Sequence, residues 1–306
     1  MVVKQTIYLM LLCFSLFAEK QFFTEIDPED PDDPWQQRFE IEKKLFEGAT
    51  DFQKVLIFQH KDLGRMLVLD GLVQTTEGDE FIYHEMLNHV PLLSHPNPKT
   101  VLVIGGGDGG SIREIFRHKN VEKVTMCELD QSIVKLCQEY LPMLSQGAFF
   151  DPRLELVFQD GTKFVQETKN RYDLIIIDST DPVGPGKALF TKEFYADCKK
   201  ILRDDGILVA QNSIPFYDGD IVADAYRNLS PSFQIVKFYV APVPSYLGGF
   251  MAFSFATDAK ENCNRSVEAL RARVREIPGK MKYYTPEVHH ASFELPQYII
   301  DEIHAH

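Results

Sequence analysis

TVLVIGGGDGG, residues 100–110, is an unbroken apolar run that ends in a glycine turn. Such a run suits a parallel strand buried on both faces. The turn Gly105-Gly106-Gly107-Asp108-Gly109-Gly110 then satisfies a GxGxxG pattern directly after that strand. Glycines there allow a tight turn and close approach of a ligand to the backbone. Dinucleotide enzymes and methyltransferases share the pattern, so it fixes a fold more than a chemistry. Asp108 narrows the choice. A carboxylate at a helix N-terminus opposes pyrophosphate, which that position otherwise attracts, and favours a cationic group. The competing reading is a simple helix cap, a role Asp also fills well.

Outward from this loop, strand-like and helix-like stretches alternate. VEKVTMCELD (121–130), LELVFQD (154–160), YDLIIIDSTDP (172–182) and GILVAQN (206–212) read as strands. QSIVKLCQEYLP (131–142) and GTKFVQET (161–168) read as helices between them. That order predicts an α/β fold with a parallel sheet covered on both faces, whose ligands sit beyond the carboxyl ends of the strands. QIVKFYVAPV (234–243) and GGFMAFSFAT (248–257) read as an antiparallel closing pair.

Upstream the period changes. RFEIEKKLFE (38–47), QKVLIFQ (53–59) and GRMLVLDG (64–71) are short β-type runs with turn residues between them. They predict a small β-rich domain over residues 35–80, followed by a Rossmann-like catalytic domain over 81–306 that opens with the helical FIYHEMLNHVPLL. Residues 1–34 read as an apolar leader and an acidic linker, DPEDPDDP, which Pro keeps from helix or central strand. The leader's apolar part, Ile7 to Ala18, is too short to span a membrane, and Leu16 spoils the small-residue cleavage pattern.

Composition bounds the partners. The 306 residues are 44% hydrophobic and 25% charged, with a net charge of −13. An acidic chain lacks the basic patch that nucleic acid needs, yet it is compatible with cationic small molecules. Five scattered cysteines without a CxxC pair suit a reducing, cytoplasmic setting, and no HExxH appears among the nine histidines. No metal site is assigned from these spacings.

The strand ends carry the chemistry. Asp108, Glu128, Asp160 and Asp178 each fall at or just after a different strand, with Asp181 three residues further on. Glu128 lies about 20 residues past the glycines, where an acid accepts hydrogen bonds from ribose hydroxyls. Clustered acids also suit a divalent metal, a second reading that the absence of a phosphate loop weakens.

DSTDPVGP (178–185), with GGGDGG, DGLVQTTEGDEFIYHE (70–85), VPSYLGG (243–249) and YYTPEVHHASFELPQY (283–298), resembles the spermidine synthase family over nearly all of residues 35–300. The resemblance implies a β-rich N-terminal domain on a methyltransferase-like Rossmann domain, in a homodimer. It implies transfer of an aminopropyl group from decarboxylated S-adenosylmethionine, a co-substrate rather than a cofactor, to a polyamine. Asp178 matches the catalytic base. Gln53, Asp108, Glu128, Asp160, Gly161 and Pro185 match contacts to the adenosyl substrate. Tyr83, His84, Asp108, Asp181 and Tyr246 match the surroundings of the aminopropyl chain and acceptor, with Ser179 and Thr180 in the same motif. Three departures bear on the acceptor. Asn212-Ser213-Ile214-Pro215-Phe216 stands where many members carry Gln-Gly-Glu with a nearby Trp, His84 replaces a Gln, and Lys54 follows Gln53 where Asp is frequent. Putrescine is the first expectation; cadaverine, agmatine or a longer amine, and less closely a methyltransferase reaction, remain open.

Overall fold

The computed structural model describes residues 20–26, 32, 34–182 and 184–304, with backbone only at residues 184 and 185. Residues 1–19, with the apolar leader, and most of the acidic linker fall outside the described residues. Among the described residues, no helix is long and apolar enough to cross a membrane.

The chain enters through β1 (Gln21–Glu25), paired antiparallel with β2 (Gln37–Ile41). This differs from the leader and linker expected over residues 1–34. The reason is packing: Phe23 turns inward and lies 6.4 Å from the Phe39 ring and 5.9 Å from that of Phe58. A four-stranded antiparallel meander follows: β3 (Lys43–Ala49), β4 (Lys54–His60), β5 (Gly64–Leu69) and β6 (Leu72–Thr76). Asp70 and Gly71 join β5 to β6 with φ of 50° and 93°, the two-residue hairpin that an Asp-Gly pair forms most readily. The strand alternation sorts this sheet into two cores. Val55, Ile57, Leu67 and Leu69 pack onto Ile133, Cys137, Leu141 and Leu144 of the following domain, while Phe58, Met66 and Val68 meet Phe39 and Val73.

The second sheet begins after α1 (Glu80–Ser94), a helix buried on nearly every side. Then come β7 (Thr100–Gly105), α2 (Gly110–Phe116), β8 (Lys123–Glu128), α3 (Gln131–Tyr140), α4 (Pro142–Ser145), β9 (Leu154–Phe158), α5 (Gly161–Glu167) and β10 (Tyr172–Asp178). The chain continues through α6 (Lys192–Ile201), β11 (Leu202–Gln211), α7 (Gly219–Leu229), β12 (Ile235–Pro242) and β13 (Phe250–Thr257) to α8 (Val267–Val274), α9 (Pro286–Ala291) and α10 (Gln297–His304). Strand order is β12-β13-β11-β10-β7-β8-β9. β13 inserts antiparallel between β11 and β12, and the five central and distal strands are mutually parallel. The apolar runs are continuous because both faces are covered. Val101 and Val103 join the core on one side; Leu102 and Ile104 join the other. Each such side chain contributes roughly 1.5–3 kcal/mol by leaving water.

Two contacts outside the sheet fix the frame. The Glu85 carboxylate of α1 accepts the backbone N–H groups of Lys282, Tyr283 and Tyr284, which ties the YYTPEVHH segment to the helix carrying Tyr83 and His84. The Gln37 amide donates to the Ser245 carbonyl at 2.7 Å, joining the N-terminal hairpin to the loop before β13.

Strand order reverses between β7 and β10, and there the backbones touch. Gly106 N–H donates to the Asp178 carbonyl at 2.8 Å. Gly105 has φ of +84°, and a Cβ there would sit 2.2 Å from that same oxygen. Gly105→Ala therefore combines left-handed strain with a backbone clash and should destabilise the protein by roughly 2–4 kcal/mol. Urea unfolding followed by circular dichroism measures this; a loss below about 1 kcal/mol would mean the two strand ends are not locked together.

Candidate active site

The carboxyl ends of the parallel strands open into a cavity of about 570 Å³. Asp108, Glu128, Asp160, Asp178 and Asp181 all line it, as do Gln53, Tyr83, His84, Gly161, Ser179, Thr180 and Tyr246. The side chain of Pro185 lies outside the described residues. The segments carrying Asp108, Glu128, Asp160 and Asp178 meet because a parallel sheet delivers every strand end to one edge.

Asp178 stands at the centre. Its Oδ1 accepts the Tyr83 hydroxyl at 2.7 Å and its Oδ2 the Ser111 hydroxyl at 2.6 Å. Burial raises its proton affinity above the usual carboxylate range; His84 opposes this and Asp108 adds to it. Burial and the Asp178 charge push the Tyr83 phenol up as well, so it stays protonated as a donor.

His84 organises the neighbouring charge. Its Nδ1 donates to Glu80 Oε2 at 2.6 Å, and its Nε2 lies 3.4 Å from Asp108 Oδ2. Burial alone would neutralise the ring, but Asp108 and Glu80 hold it protonated, well above the ordinary histidine value. Arg113 grips Glu80 with both terminal nitrogens, at 3.0 and 2.8 Å. A chain of alternating charge, Arg113–Glu80–His84–Asp108, therefore runs from the protein interior to the cavity wall. Gly110 makes room for it: a Cβ there would fall 2.3 Å from the imidazole.

Asp108 fills both roles considered for it. Its Oδ1 accepts Gly110 N–H at 2.7 Å, capping α2 from one residue outside, while Oδ2 faces His84 and the cavity. Burial notwithstanding, His84 keeps it ionised, with its pKa below the usual value. Glu128 ends β8 with Oε1 accepting Asp130 N–H at 2.9 Å; burial raises its pKa to about 7. A Cβ on Gly107 would meet Glu128 Oε2 at 3.1 Å, so that glycine keeps the carboxylate open to a ligand. Asp160 is mainly a cap. Its Oδ1 takes the Thr162 N–H at 2.8 Å and the Thr162 hydroxyl at 2.7 Å. Gln53 reaches in from the β domain to donate to Asp130 Oδ2 at 3.3 Å, and the Tyr246 hydroxyl donates to the Gln74 carbonyl at 2.7 Å. Ser179 receives the Gln211 amide on its carbonyl at 3.0 Å, which shapes the start of the DSTDP loop.

Several lining or supporting residues lay beyond the sequence reading. Glu25 of β1 lines the cavity with Oε1 on the Val73 N–H at 2.6 Å and a buried Oε2 that has no hydrogen-bond partner among the described residues. Burial raises its pKa to about 7, with Asp181 adding to the rise. It was hidden because residues 1–34 read as leader and linker. Trp35 also lines the cavity and sits edge-on to Phe216 at 5.7 Å. Ser111 had a findable signal: it is the second residue of the helix that leaves the glycine loop. Among the described residues, His95, Asp173 and Asp205 alone form a group close enough to share a metal ion. There Asp173 Oδ2 already accepts three donors from Lys99 and Thr100, and Arg203 sits on Oδ1. His95 Nδ1 accepts Asn97 N–H, which leaves a single ring proton on Nε2, 3.5 Å from Asp205, and burial lowers the ring's pKa; the Asp173–Arg203 ion pair anchors this cluster at the opposite edge of the sheet.

Known proteins share this fold. Residues 80–267 match the spermine/spermidine synthase domain and residues 21–77 the spermidine synthase tetramerisation domain. Polyamine aminopropyltransferases of Erwinia tasmaniensis and Salmonella arizonae are each 48% identical, the first over 87% of this chain and 94% of its own, the second over 89% and 96%. A spermidine synthase solved in complex with the transition state analogue AdoDATO superposes with a TM-score of 0.87 at 39% identity, covering 96% of this chain and 100% of that one. The spermidine synthase from Thermotoga maritima superposes with a TM-score of 0.83 at 38% identity, covering 95% and 98%. With its N-terminal β region and its seven-stranded sheet matched and its relatives aligned over nearly their whole length, the chain belongs to the spermine/spermidine synthase family.

Proposed function

We propose that the protein transfers the aminopropyl group of decarboxylated S-adenosylmethionine to putrescine, giving spermidine and methylthioadenosine, with Asp178 as proton acceptor. The observation that carries this reading is the Asp178 carboxylate, held by Tyr83 and Ser111 at the switch point of a cavity walled by acids. Both substrates are cations, and the wall is anionic. Family membership and the relatives' names support the reaction class.

The step needs a neutral amine. At pH 7 a lysine-like amine lies roughly three units below its pKa, so exposing its lone pair costs roughly 4 kcal/mol. The nearby sulfonium and the partly dry cavity lower that amine's pKa, and Asp178 accepts the proton. The nitrogen then attacks the methylene next to sulfur, the C–S bond breaks, and its electron pair stays on sulfur as the thioether. The sulfonium makes that carbon electrophilic already, so the step as written calls on no further cofactor. On this reading Glu128 takes the ribose hydroxyls, and Gln53, Asp160, Gly161 and Pro185 contact the nucleoside. Tyr83, His84, Asp181 and Tyr246, with Ser179 and Thr180 behind them, surround the reacting chain.

Glu25 answers the missing acid after β11. It stands in the cavity close enough to Asp181 to feel its charge, with one carboxylate oxygen still unpartnered. We assign it the far ammonium of the diamine, with Trp35 and Tyr217 as the aromatic wall beside it. The relatives' N-terminal family name supports assembly of copies through the β domain, and a cytoplasmic homodimer remains the simplest form of that proposal.

Incubation with labelled decarboxylated donor and a panel of putrescine, cadaverine and agmatine tests the reaction. Methylthioadenosine and spermidine should appear, and Asp178→Asn should lower kcat by roughly 10²–10⁴; methyl transfer instead, or no turnover with any amine, sinks the reading. Glu25→Gln should raise KM for putrescine roughly 10- to 100-fold while leaving the donor's KM unchanged, because a charge-assisted hydrogen bond is worth roughly 1.5–3 kcal/mol. An unaltered putrescine KM would remove Glu25 from the acceptor site.

Asp108 also bears on the choice of donor. Ordinary S-adenosylmethionine carries a carboxylate on the reacting chain, and like charges 4 Å apart cost roughly 4 kcal/mol at an effective dielectric near 20. The protonated His84 beside Asp108 offsets part of that repulsion. Asp108→Asn should therefore reduce the preference for the decarboxylated donor by roughly 10- to 100-fold. Competition binding of the two donors reads this directly, and an unchanged ratio would refute the charge-repulsion account.

A further inference from the structure

Asp178 is held on its two oxygens by different helices. Tyr83 comes from α1, and Ser111 comes from the first turn of α2. Ser111 is fully buried, and its oxygen in turn accepts Asn88 Nδ2 from α1 at 2.9 Å. The same Asn88 nitrogen donates to the His84 carbonyl, also at 2.9 Å. That second bond fixes which end of the amide faces Ser111, since a turned amide would set oxygen against the His84 carbonyl. A hydroxyl has one proton to give. With Asn88 donating to the Ser111 oxygen, that proton is aimed at Asp178 Oδ2. Asn88 is completely buried, and its Oδ1 is left without a partner among the described residues. The amide is thus oriented at the expense of its own second hydrogen bond, which a mere space-filling role would not require.

We propose that Ser111, aimed by Asn88, is a positioning residue that sets the plane of the Asp178 carboxylate and weakens its hold on the transferred proton. The proposal rests on the reading of Asp178 as proton acceptor. With Tyr83 on one oxygen and Ser111 on the other, each oxygen retains one free lone-pair direction for the amine's proton. Hydrogen bonds donated to a carboxylate favour its charged form. Here that effect counters burial and the Asp108 charge, which both favour protonation of Asp178. Without Ser111 the base would be protonated, and so idle, at a higher pH.

The other groups that face Asp178 are Tyr83 and His84 from α1, Asp108 from the glycine loop, Glu128 at the end of β8, and Tyr246 from the loop before β13. Asp181 follows in its own loop and lines the same cavity. Ser111→Ala alters none of them, so a displaced titration reports on the single lost donor.

The test is the pH profile of kcat under saturating substrates for Ser111→Ala, Ser111→Cys and Ser111→Thr beside wild type and Asp178→Asn. Ser111→Ala should move the acid limb upward by about one unit, the scale on which two or three hydrogen bonds lower a carboxylate by about two. Its plateau kcat should fall about tenfold through lost alignment, with donor KM within about twofold of wild type because the adenosyl site is untouched. Ser111→Cys, similar in size but a weak donor, should shift the limb in the same direction and stands in if the alanine variant melts early. Ser111→Thr, which keeps the hydroxyl, should restore the wild-type profile. An acid limb unmoved in both the alanine and cysteine variants, with Asp178→Asn inactive, overturns the role of Ser111 alone. Wild-type turnover by Asp178→Asn overturns instead the reading of Asp178 on which it rests.

Discussion

The contact between the glycine turn and the end of β10 is the constraint on which the site depends. Gly106 donates to the Asp178 carbonyl, and Gly105 leaves that carbonyl the space a Cβ would fill. One backbone hydrogen bond therefore sets the distance between the Asp178 carboxylate and the loop carrying Asp108. Both strands are buried apolar runs, so neither end can shift without disturbing the two cores packed on the sheet. Chemistry at this edge inherits the rigidity of the sheet beneath it.

Crowding several carboxylates around one cavity is unfavourable unless their charge is shared. The protein does this in two ways. On one side His84, held protonated between Glu80 and Asp108 and backed by Arg113, places a cation inside the acidic wall and keeps Asp108 ionised. On the other side Glu25 and Glu128 are driven up to about 7 by burial, so each can hold a proton until a ligand arrives. The cavity thus combines acids held ionised, Asp108 and Asp160, with the marginal acids Glu25 and Glu128, which burial raises to about 7. That arrangement suits binding of cations, because the ligand's own charge completes the ionisation of the marginal acids.

The β-rich N-terminal region contributes to the cavity wall. Glu25 and Trp35 reach the cavity from β1 and the segment just before β2, and Gln53 reaches it from the start of β4. The hairpin is pinned to the loop before β13 through Gln37 and Ser245, and one face of the four-stranded sheet shares a core with α3 and α4. The C-terminal segment is secured from the opposite side by Glu85, one residue beyond His84 on the same helix. The helix with Tyr83 and His84 is therefore braced by the segment around Tyr283 and Tyr284.

Sequence alone determined the strand runs, the glycine turn, the order of sheet elements and the gathering of Asp108, Glu128, Asp160 and Asp178, because a parallel sheet sends every strand end to one edge. It also determined Gly105 as a turn residue, since the motif demands it. Only tertiary structure decided the supporting cast. Ser111 and Asn88 meet Asp178 through the packing of α1 on α2. His84 gains its charge from Glu80 four residues away and Asp108 across the loop. Glu25 enters the cavity because Phe23 is anchored in a distant core. Hydrophobic periodicity encodes where an element lies, whereas a proton's position depends on polar partners brought close by folding, and no local pattern records those.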